Sequence, residues 1–493
     1  MLVPLLYKTC LEKTSHLIKT GMWATCSPNP FSDLPSRIVD DVMENTTAGC
    51  KEVSSLLLLV ESGKLTRLSI VFPLALEKEY DLFQKTMRTN CCKALRSLTL
   101  YLSHNPSSIN LIETLISLCP NLEEFASNIF PNFEVFKNCK ELRIIRFDMF
   151  AGAHDLQSLP VDYSALTSIR NLEVILSIPD MTSDMVAKAL ESCPQLVSLG
   201  YVDSLGGLKK IRESYLNKYS SSRKDICGHF QLRGCAWTPN FKKHTIEKST
   251  FSEELRNAVS LCPLVEELVV SGYHGCSFLE LKNLKRLALL RIDFCGCSNG
   301  CLQDFVELLH EIGPQLKYLS VVSEFILPVD IICDCCPNLL SLEILGCATV
   351  TKTVQKNCNL SLKQLHIWQG DGDSVLFLLS NCKGLEELIL GNAYRLNDDL
   401  LNQILKLNPL SELQEIVIWE SRLSREGFRM LLQKLTSLQR VFTAHFVYDM
   451  IKSLTGELNL NTLMHDSVNR FYRNRDLRNC FGKMVWLREV SLM

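Results

Sequence analysis

Thiols are the side chains of this 493-residue chain with the most chemistry to offer: it carries 22 cysteines and 10 histidines. Cys295-Gly296-Cys297, followed by Cys301 and His310, supplies in order the soft thiolates and imidazole that zinc takes. Cys333-Asp334-Cys335-Cys336 adds a C-x-x-C. The first spacing fits no common zinc knuckle, and Cys336 stands at a place that recurs along the chain, before a proline. Nothing singles out one thiol and one histidine as a catalytic pair. The phosphate loop G-x-x-x-x-G-K, the H-E-x-x-H helix and the G-x-S-x-G turn do not occur. The expectation is a chain that is not an enzyme, with no catalytic residues, no metal and no cofactor.

The recurring place of the cysteines leads to the elements that hold them. Cys119-Pro120, Cys193-Pro194, Cys262-Pro263 and Cys336-Pro337, with the proline-free Cys92-Lys93, Cys139-Lys140 and Cys382-Lys383, each follow a helical pattern and precede an extended one. Proline cannot continue a helical ladder and pushes the residue before it toward extended geometry. Cysteine, small and apolar, fills a tight helix end that leucine would overfill.

After each such switch comes the phrase L-x-x-L-x-L. It is read at Leu65/Leu68/Ile70, Leu95/Leu98/Leu100, Leu142/Ile145/Phe147, Leu196/Leu199, Val265/Leu268/Val270, Leu284/Leu287/Leu289 and Leu316/Leu319/Val321. It goes on at Leu339/Leu342/Ile344, Leu362/Leu365/Ile367, Leu385/Leu388/Leu390, Leu413/Ile416/Ile418 and Leu487/Val490/Leu492. Leu319, Leu342, Leu365 and Leu388 are spaced by 23 residues, inside the leucine-rich-repeat range of about 20 to 29. The fold class is therefore α/β: a leucine-rich-repeat solenoid, a curved horseshoe with a parallel concave sheet and outer helices, plus a small α-helical amino-terminal segment. The boundaries read as 1–59 for that segment and 60–493 for the solenoid, with an irregular insertion at about 203–250 and a carboxy-terminal cap at about 445–493.

Composition narrows the partners. With 52 Lys and Arg against 54 Asp and Glu, a formal charge of -2 and 46% hydrophobic residues, the chain is foldable and offers no global field for nucleic acid or an anionic membrane. The apolar run 56–60 is too short to span a bilayer, and Lys8, Glu12 and Lys13 interrupt any signal-peptide core. The thiols are expected reduced, in cytoplasm or nucleus, and the partners are expected to be proteins. The insertion carries Lys209, Lys210, Arg212, Lys218, Arg223 and Lys224 around Ser220-Ser221-Ser222. It reads as a solvated loop with one degenerate repeat at 230–237, the other reading being a contact for an acidic or phosphorylated partner.

Two blocks, Cys382-Lys-Gly-Leu385-Glu-Glu-Leu388-Ile-Leu390 with Asn397-Asp398-Asp399-Leu400, and Cys336-Pro-Asn-Leu339 through Leu345-Gly-Cys347, resemble the cysteine-containing repeats of F-box receptors. That resemblance covers roughly residues 60 to 493 and implies a solenoid that binds ubiquitylation substrates. Pro4-Leu5-Leu6-Tyr7-Lys8-Thr9-Cys10 resembles the elongin-binding box of cullin-RING receptors, whose core leucine and cysteine are matched by Leu6 and Cys10; Thr14 stands where the family has an apolar residue. Leu34-Pro35-Ser36-Arg37-Ile38-Val39-Asp40-Asp41-Val42 resembles the cullin-2 box at Leu34, Pro35, Ile38 and Val42. Paired boxes before leucine-rich repeats are similar to the zyg-eleven and PRAME-like receptor groups. The implied partners are elongin B/C and cullin-2, or, if Leu34-Pro35 instead opens an F-box, a Skp-type adaptor and its cullin. A plain end cap over the first repeat is the structural alternative.

Strand parity nominates the substrate surface. The leucines face the core and the residues between them face the concave side. His366, Trp368, Ile389, Val417 and Trp419 then line up on neighbouring strands, with Leu345 before them and Phe442 after. At about 4.8 Å between strands they are expected to form an exposed apolar stripe fit for a protein substrate.

Overall fold

The computed structural model describes residues 2–23, 26–47, 54–71, 80–90, 92–102, 106–147, 165–166, 169–176, 181–218, 230–237, 248–272, 276–294, 300–351, 360–460 and 462–467. The chain divides into two compact units, residues 1–202 and 203–493.

In the first unit three helices, α1 (Leu2–Lys19), α2 (Ser36–Thr47) and α3 (Ser54–Glu61), precede the strands. These are β1 (Arg67–Val71), β2 (Ser97–Tyr101), β3 (Glu124–Ser127), β4 (Ile144–Phe147), β5 (Val174–Leu176) and β6 (Ser198–Asp203). Each pairs with the next in parallel. The phrase residues Leu65, Leu68, Ile70, Leu95, Leu98, Leu100, Leu142, Ile145 and Phe147 are all buried. Where the short link between β3 and β4 has room only for a 3-10 helix (Phe133–Asn138), phenylalanines fill the core: Phe125 meets Phe136 at 5.2 Å and Phe147 at 6.1 Å, both edge-on.

One backbone joint recurs at the starts of β2 to β6. The carbonyl of the residue after the first leucine accepts two N–H groups from the next repeat. Thr66 O takes Arg96 N (2.8 Å) and Ser97 N (3.0 Å), Arg96 O takes Glu123 N (2.7 Å) and Glu124 N (2.9 Å), and Glu123 O takes Arg143 N (2.8 Å) and Ile144 N (3.1 Å). Side-chain amides reinforce it: Asn121 Nδ2 donates to Lys93 O at 2.8 Å and Asn171 Nδ2 to Lys140 O at 3.0 Å.

At β1 there is no earlier repeat to supply the carbonyl, and a side chain of α2 takes its place. Asp40 Oδ1 accepts from Thr66 N (2.9 Å) and Arg67 N (3.1 Å), while Oδ2 accepts from Thr66 Oγ1 (2.5 Å). The same helix turns Val39, Val42, Met43 and Thr46 inward.

The second unit carries β7 (Gly234–Trp237), β8 (Glu267–Ser271), β9 (Leu289–Asp293), β10 (Tyr318–Val322), β11 (Leu327–Pro328), β12 (Ser341–Thr349), β13 (Gln364–Gly370), β14 (Glu387–Asn397), β15 (Glu415–Arg422), β16 (Arg440–Thr443) and β17 (Met464–Ser467). The same joint recurs at the starts of β8 to β10 and β12 to β16, as at Lys317 O with Leu340 N (2.8 Å) and Ser341 N (3.2 Å). Leu319, Leu342, Leu365 and Leu388 stand directly opposite one another, as the spacing requires. Each unit is an α/β leucine-rich-repeat solenoid.

The cysteines hold one geometric place. Cys193, Cys336 and Cys382 are the residues that close their helices, and Cys336 O then accepts from Leu339 N at 3.2 Å. The cysteine is thus the first residue of a turn, and proline the second, where its fixed φ suits the turn. Burial pushes the thiols of Cys139 and Cys193 up to about 11 and those of Cys336 and Cys382 up to about 12, so they are protonated spacers. Leu284, Gly313, Leu410 and Leu435 make the same turn elsewhere.

That equivalence corrects one register. Leu284 occupies the turn place, and the core residues of its repeat are Leu287, Leu290 and Ile292: Leu290 stands opposite Leu268 and Leu319, and Ile292 opposite Val270 and Val321. The segment 203–250 contains the helix Leu205–Lys218, which buries Leu205, Leu208 and Ile211, and then β7, paired with β8. Lys209 bonds Glu254 at 2.7 Å and Arg212 bonds Ser260 at 3.3 Å. Ser220 to Ser222, Arg223, Lys224, Cys295, Cys297 and the tail 468–493 with Leu487, Val490 and Leu492 lie outside the described residues.

Replacing Asp40 by Ala leaves the Thr66 and Arg67 N–H groups without their acceptor, so stability should fall by about 2 kcal/mol, and Asp40→Asn, which keeps one acceptor oxygen, should lose less. Urea unfolding of the full chain reads both; equal losses would assign the effect to something other than the joint.

Candidate functional sites

Two surfaces collect the residues that the sequence nominates, one in each unit. The first is the outer half of the amino-terminal helix pair. Along α1, Leu6, Tyr7, Lys8, Thr9 and Cys10 are exposed, Leu6 to 66%, whereas Ser15 and Ile18, farther along, are buried. One helix therefore serves two purposes: its second half packs and its first half projects an apolar edge. Tyr7 Oη donates to Asp41 Oδ2 at 2.5 Å, tying that edge to α2, and the bond to the carboxylate raises the phenol above its ordinary value. On α2 and the turn before it, Pro35 is exposed, Leu34 and Ile38 are half-buried, and Val42 is buried at 2%. Val42 thus belongs to the cap's interior, because it shares the inward face with Val39 and Met43.

The second surface lies on the sheet of the second unit. Opposite one another in register stand Ser320, Glu343, His366, Ile389, Val417, Phe442 and Asp466. Parity thus brings His366, Ile389, Val417 and Phe442 into one row, with Trp368 and Trp419 two residues further along their strands, but not with the expected exposure: Ile389 is 2% and Val417 0% exposed. Trp419 and Phe442 pack against this pair, and wide rings on strands about 4.8 Å apart overlie their smaller neighbours. Trp368 and Trp419 are half-buried and meet edge-to-face at 5.8 Å. The aliphatic residues form a floor and the aromatic ones its walls. Gly391 lies between the two tryptophans, and a Cβ there would come 2.6 Å from Trp368 O and 2.8 Å from its ring.

His366 is part of a polar network rather than of the apolar stripe. Its Nδ1 lies 2.9 Å from Glu343 Oε1, and Ser320 Oγ donates to Glu343 Oε2 at 2.6 Å, with all three residues buried. Burial pushes the Glu343 carboxyl up, but the hydrogen bond and charge of His366, with Arg291 and Ser320 adding, outweigh it and hold the group below its ordinary value. Ser320 and His366 both address Glu343, which leaves the hydroxyl without the Ser–His contact that a nucleophile needs. Glu343 was open to discovery in the sequence, because it precedes His366 by one 23-residue step. Cys335 Sγ lies 3.5 Å from His310 Nδ1, and burial raises that thiol.

No family model matches the chain, and no curated protein matches it. Among solved structures it is similar to an internalin from Listeria monocytogenes (12% identity, 79% of this chain and 83% of that one, TM-score 0.27) and to a leucine-rich-repeat protein of Leptospira interrogans (15%, 80% and 93%, TM-score 0.30). It is also similar to the yeast Rad7 and Elc1 complex (14%, 89% and 92%, TM-score 0.34). The leucine-rich-repeat fold rests on the register and the backbone joint described above.

Gly391→Ala should cost about 1–3 kcal/mol by overpacking and shift the tryptophan emission; an unmoved spectrum would show that the ring does not lie on Gly391. For Glu343 the folded carboxyl sits below 4.5, so its stabilisation is complete above that pH and is lost as the pH falls through the lower folded value. Below pH 4.5 the melting temperature of Glu343→Gln should therefore fall less steeply than that of the native chain, and parallel curves would refute the assignment.

Proposed function

We propose that the chain is the substrate-binding adaptor of a cullin-RING ubiquitin ligase, holding a target protein on its sheet while its amino-terminal helices dock the ligase. The observation that carries this reading is the projecting half of α1, where Leu6 and Cys10 stand exposed one helical turn apart. An apolar pair on one face of an exposed helix is the geometry that a groove on another protein accepts. The partners that the resemblance implies are elongin B/C and cullin-2, with Leu34, Pro35 and Ile38 as further contacts; a Skp-type adaptor is the variant of the same reading. The walls Trp368, Trp419 and Phe442 are the contacts for the target, since aromatic rings with a buried floor suit an interaction hot spot. Such an adaptor carries out no bond chemistry; it raises the local concentration of the target's lysines at the ubiquitin carrier. A reducing compartment, cytoplasm or nucleus, goes with this role.

A second reading has its own observation. Asp40 is committed to β1 and Val42 to the cap interior, which favours an interaction scaffold that recruits no ligase, with α2 serving only to close the solenoid.

Affinity purification from cells with mass spectrometry separates the two. The native chain is expected to bring down elongins and cullin-2, and Leu6→Ser with Cys10→Ser, both at exposed positions, is expected to lose them while keeping its target. Recovery of a Skp-type adaptor changes only the docking partner; no cullin component with either chain would leave the scaffold.

A further inference from the structure

The strands of the second unit are not of equal length, and the excess lies in one place. β12, β13, β14 and β15 have 9, 7, 11 and 8 residues, whereas β8, β9 and β10 on one side have 5 each and β16 on the other has 4. The four strands run on past the leucine phrase into a ledge that the repeat does not need. Glycines permit it: a Cβ at Gly346 would fall 2.3 Å from Ser323 O, and one at Gly391 2.6 Å from Trp368 O. On the ledge Cys347 stands opposite Gln369, Gln369 opposite Asn392, and Asn392 opposite Glu420.

Above this row lies a cleft of about 490 Å³, whose lining includes Gln369, Asn392, Tyr394, Arg395 and Arg422. Asp371, the carboxylate in its lining, accepts from Thr349 Oγ1 and Ser374 N, each at 2.7 Å. Arg395 and Arg422 are exposed and make no ion pair among the described residues. The lining therefore carries two exposed guanidinium groups against one half-buried carboxylate, Asp371, an excess of positive charge toward a ligand. Beside it lies an almost wholly apolar cleft of about 480 Å³ formed by Leu302, Val306, Ile326, Pro328 and Ile331, and the two share Ile326 and Thr349. Ile326 is 58% exposed, a large apolar side chain left in solvent at the junction.

We propose that this ledge is a recognition site, distinct from the surface walled by the tryptophans, for an extended peptide segment of a partner protein that carries a bulky apolar side chain within a few residues of an aspartate or glutamate. The apolar side chain enters the cleft at Ile326, and the carboxylate is taken by Arg395 and Arg422, whose planar forks suit it. Gln369 and Asn392, side-chain amides on neighbouring strands, meet the peptide main chain at the spacing of a β ladder. Two arginines at one spot are a point contact rather than the basic track that a nucleic-acid backbone requires. The proposal rests on the reading of the chain as a partner-binding solenoid and is independent of how, or whether, a ligase docks.

The test is to pan a display library of random short peptides on the full chain and measure the enriched peptides by fluorescence anisotropy. Sequences joining a bulky apolar residue to a nearby Asp or Glu should be enriched. Arg395→Glu with Arg422→Glu and, separately, Ile326→Asp should each weaken them by about tenfold or more. Exchanging the peptide's acid for lysine should restore binding to the charge-reversed chain. All three substitutions fall at exposed positions, and an unchanged melting curve is checked for each. Absence of acidic peptides from the enriched set, or affinities within about twofold for both variants, overturns the proposal, as does loss only with Trp368→Ala and Trp419→Ala. Cullin association of the charge-reversed chain, read in parallel, should be unaffected, so failure here leaves the adaptor reading standing and failure there leaves this one.

Discussion

The forked hydrogen bond that recurs at the start of most strands is the constraint from which the rest follows. One carbonyl accepts the N–H groups of two successive residues in the next repeat, with distances such as 2.8 and 3.0 Å at Thr66 and 2.8 and 3.2 Å at Lys317. Because the joint uses only main chain, it fixes where the strands that carry it begin whatever side chains occupy the positions. The first leucine of each phrase precedes the joint and the second follows it, so both must enter the core at the same depth in every repeat. Parity then sends the residues between them to the opposite face. The turn place held by cysteine lies three residues before the first leucine, and its small side chain lets the helix end descend onto the strand.

A joint that needs a predecessor leaves an edge at the first strand. An open row of strand donors invites pairing with another chain, and Asp40 answers it with one carboxylate oxygen that accepts two N–H groups as a carbonyl would. The carboxylate is held there by the inward face of α2, so the residues that resemble a docking box and the residues that close the solenoid overlap. Their division follows the helix surface: Val39, Val42, Met43 and Asp40 serve the cap, while Pro35 remains outside and Leu34 and Ile38 are shared.

Much of this was legible because the repeat's periodicity is covalent: a phrase recurring every 23 residues between Leu319 and Leu388 must stack in register. Where it failed, the reason is local. Leu281, Leu284, Leu287 and Leu290 recur every third residue and admit two frames for the phrase; only the carbonyl of Ala288, which accepts from Lys317 N and Tyr318 N, selects one. Around β7 the phrase positions are held by Phe230, Leu232, Cys235 and Trp237, with a single leucine among them, so the phrase is present in geometry and nearly absent in letters. For the candidate site, parity predicts which side chains share a face, but exposure depends on neighbouring side-chain size, and no pattern along one strand reports that the rings at 419 and 442 pack on the aliphatic residues at 389 and 417.

The amino-terminal helix shows how the two demands on this chain are reconciled. Stability requires that the first repeat be closed, and closure consumes apolar surface: Ile18 of α1 and the inner face of α2 go to it. The docking proposed for α1 requires apolar surface that is not consumed, which normally costs solubility. The chain meets both by length. α1 has 18 residues, more than its packed half needs, and the excess carries Leu6 and Cys10 beyond the cap, with Tyr7 and its bond to Asp41 holding the projecting turn against α2. The same device appears at β12 to β15, where strands longer than the repeat requires carry side chains beyond the core. Part of the surplus still packs, as Ala348, Ala393 and Leu396 do, while Leu6, Cys10, Arg395 and Arg422 stand exposed, so substitutions at those four positions leave the joints that hold the solenoid together untouched.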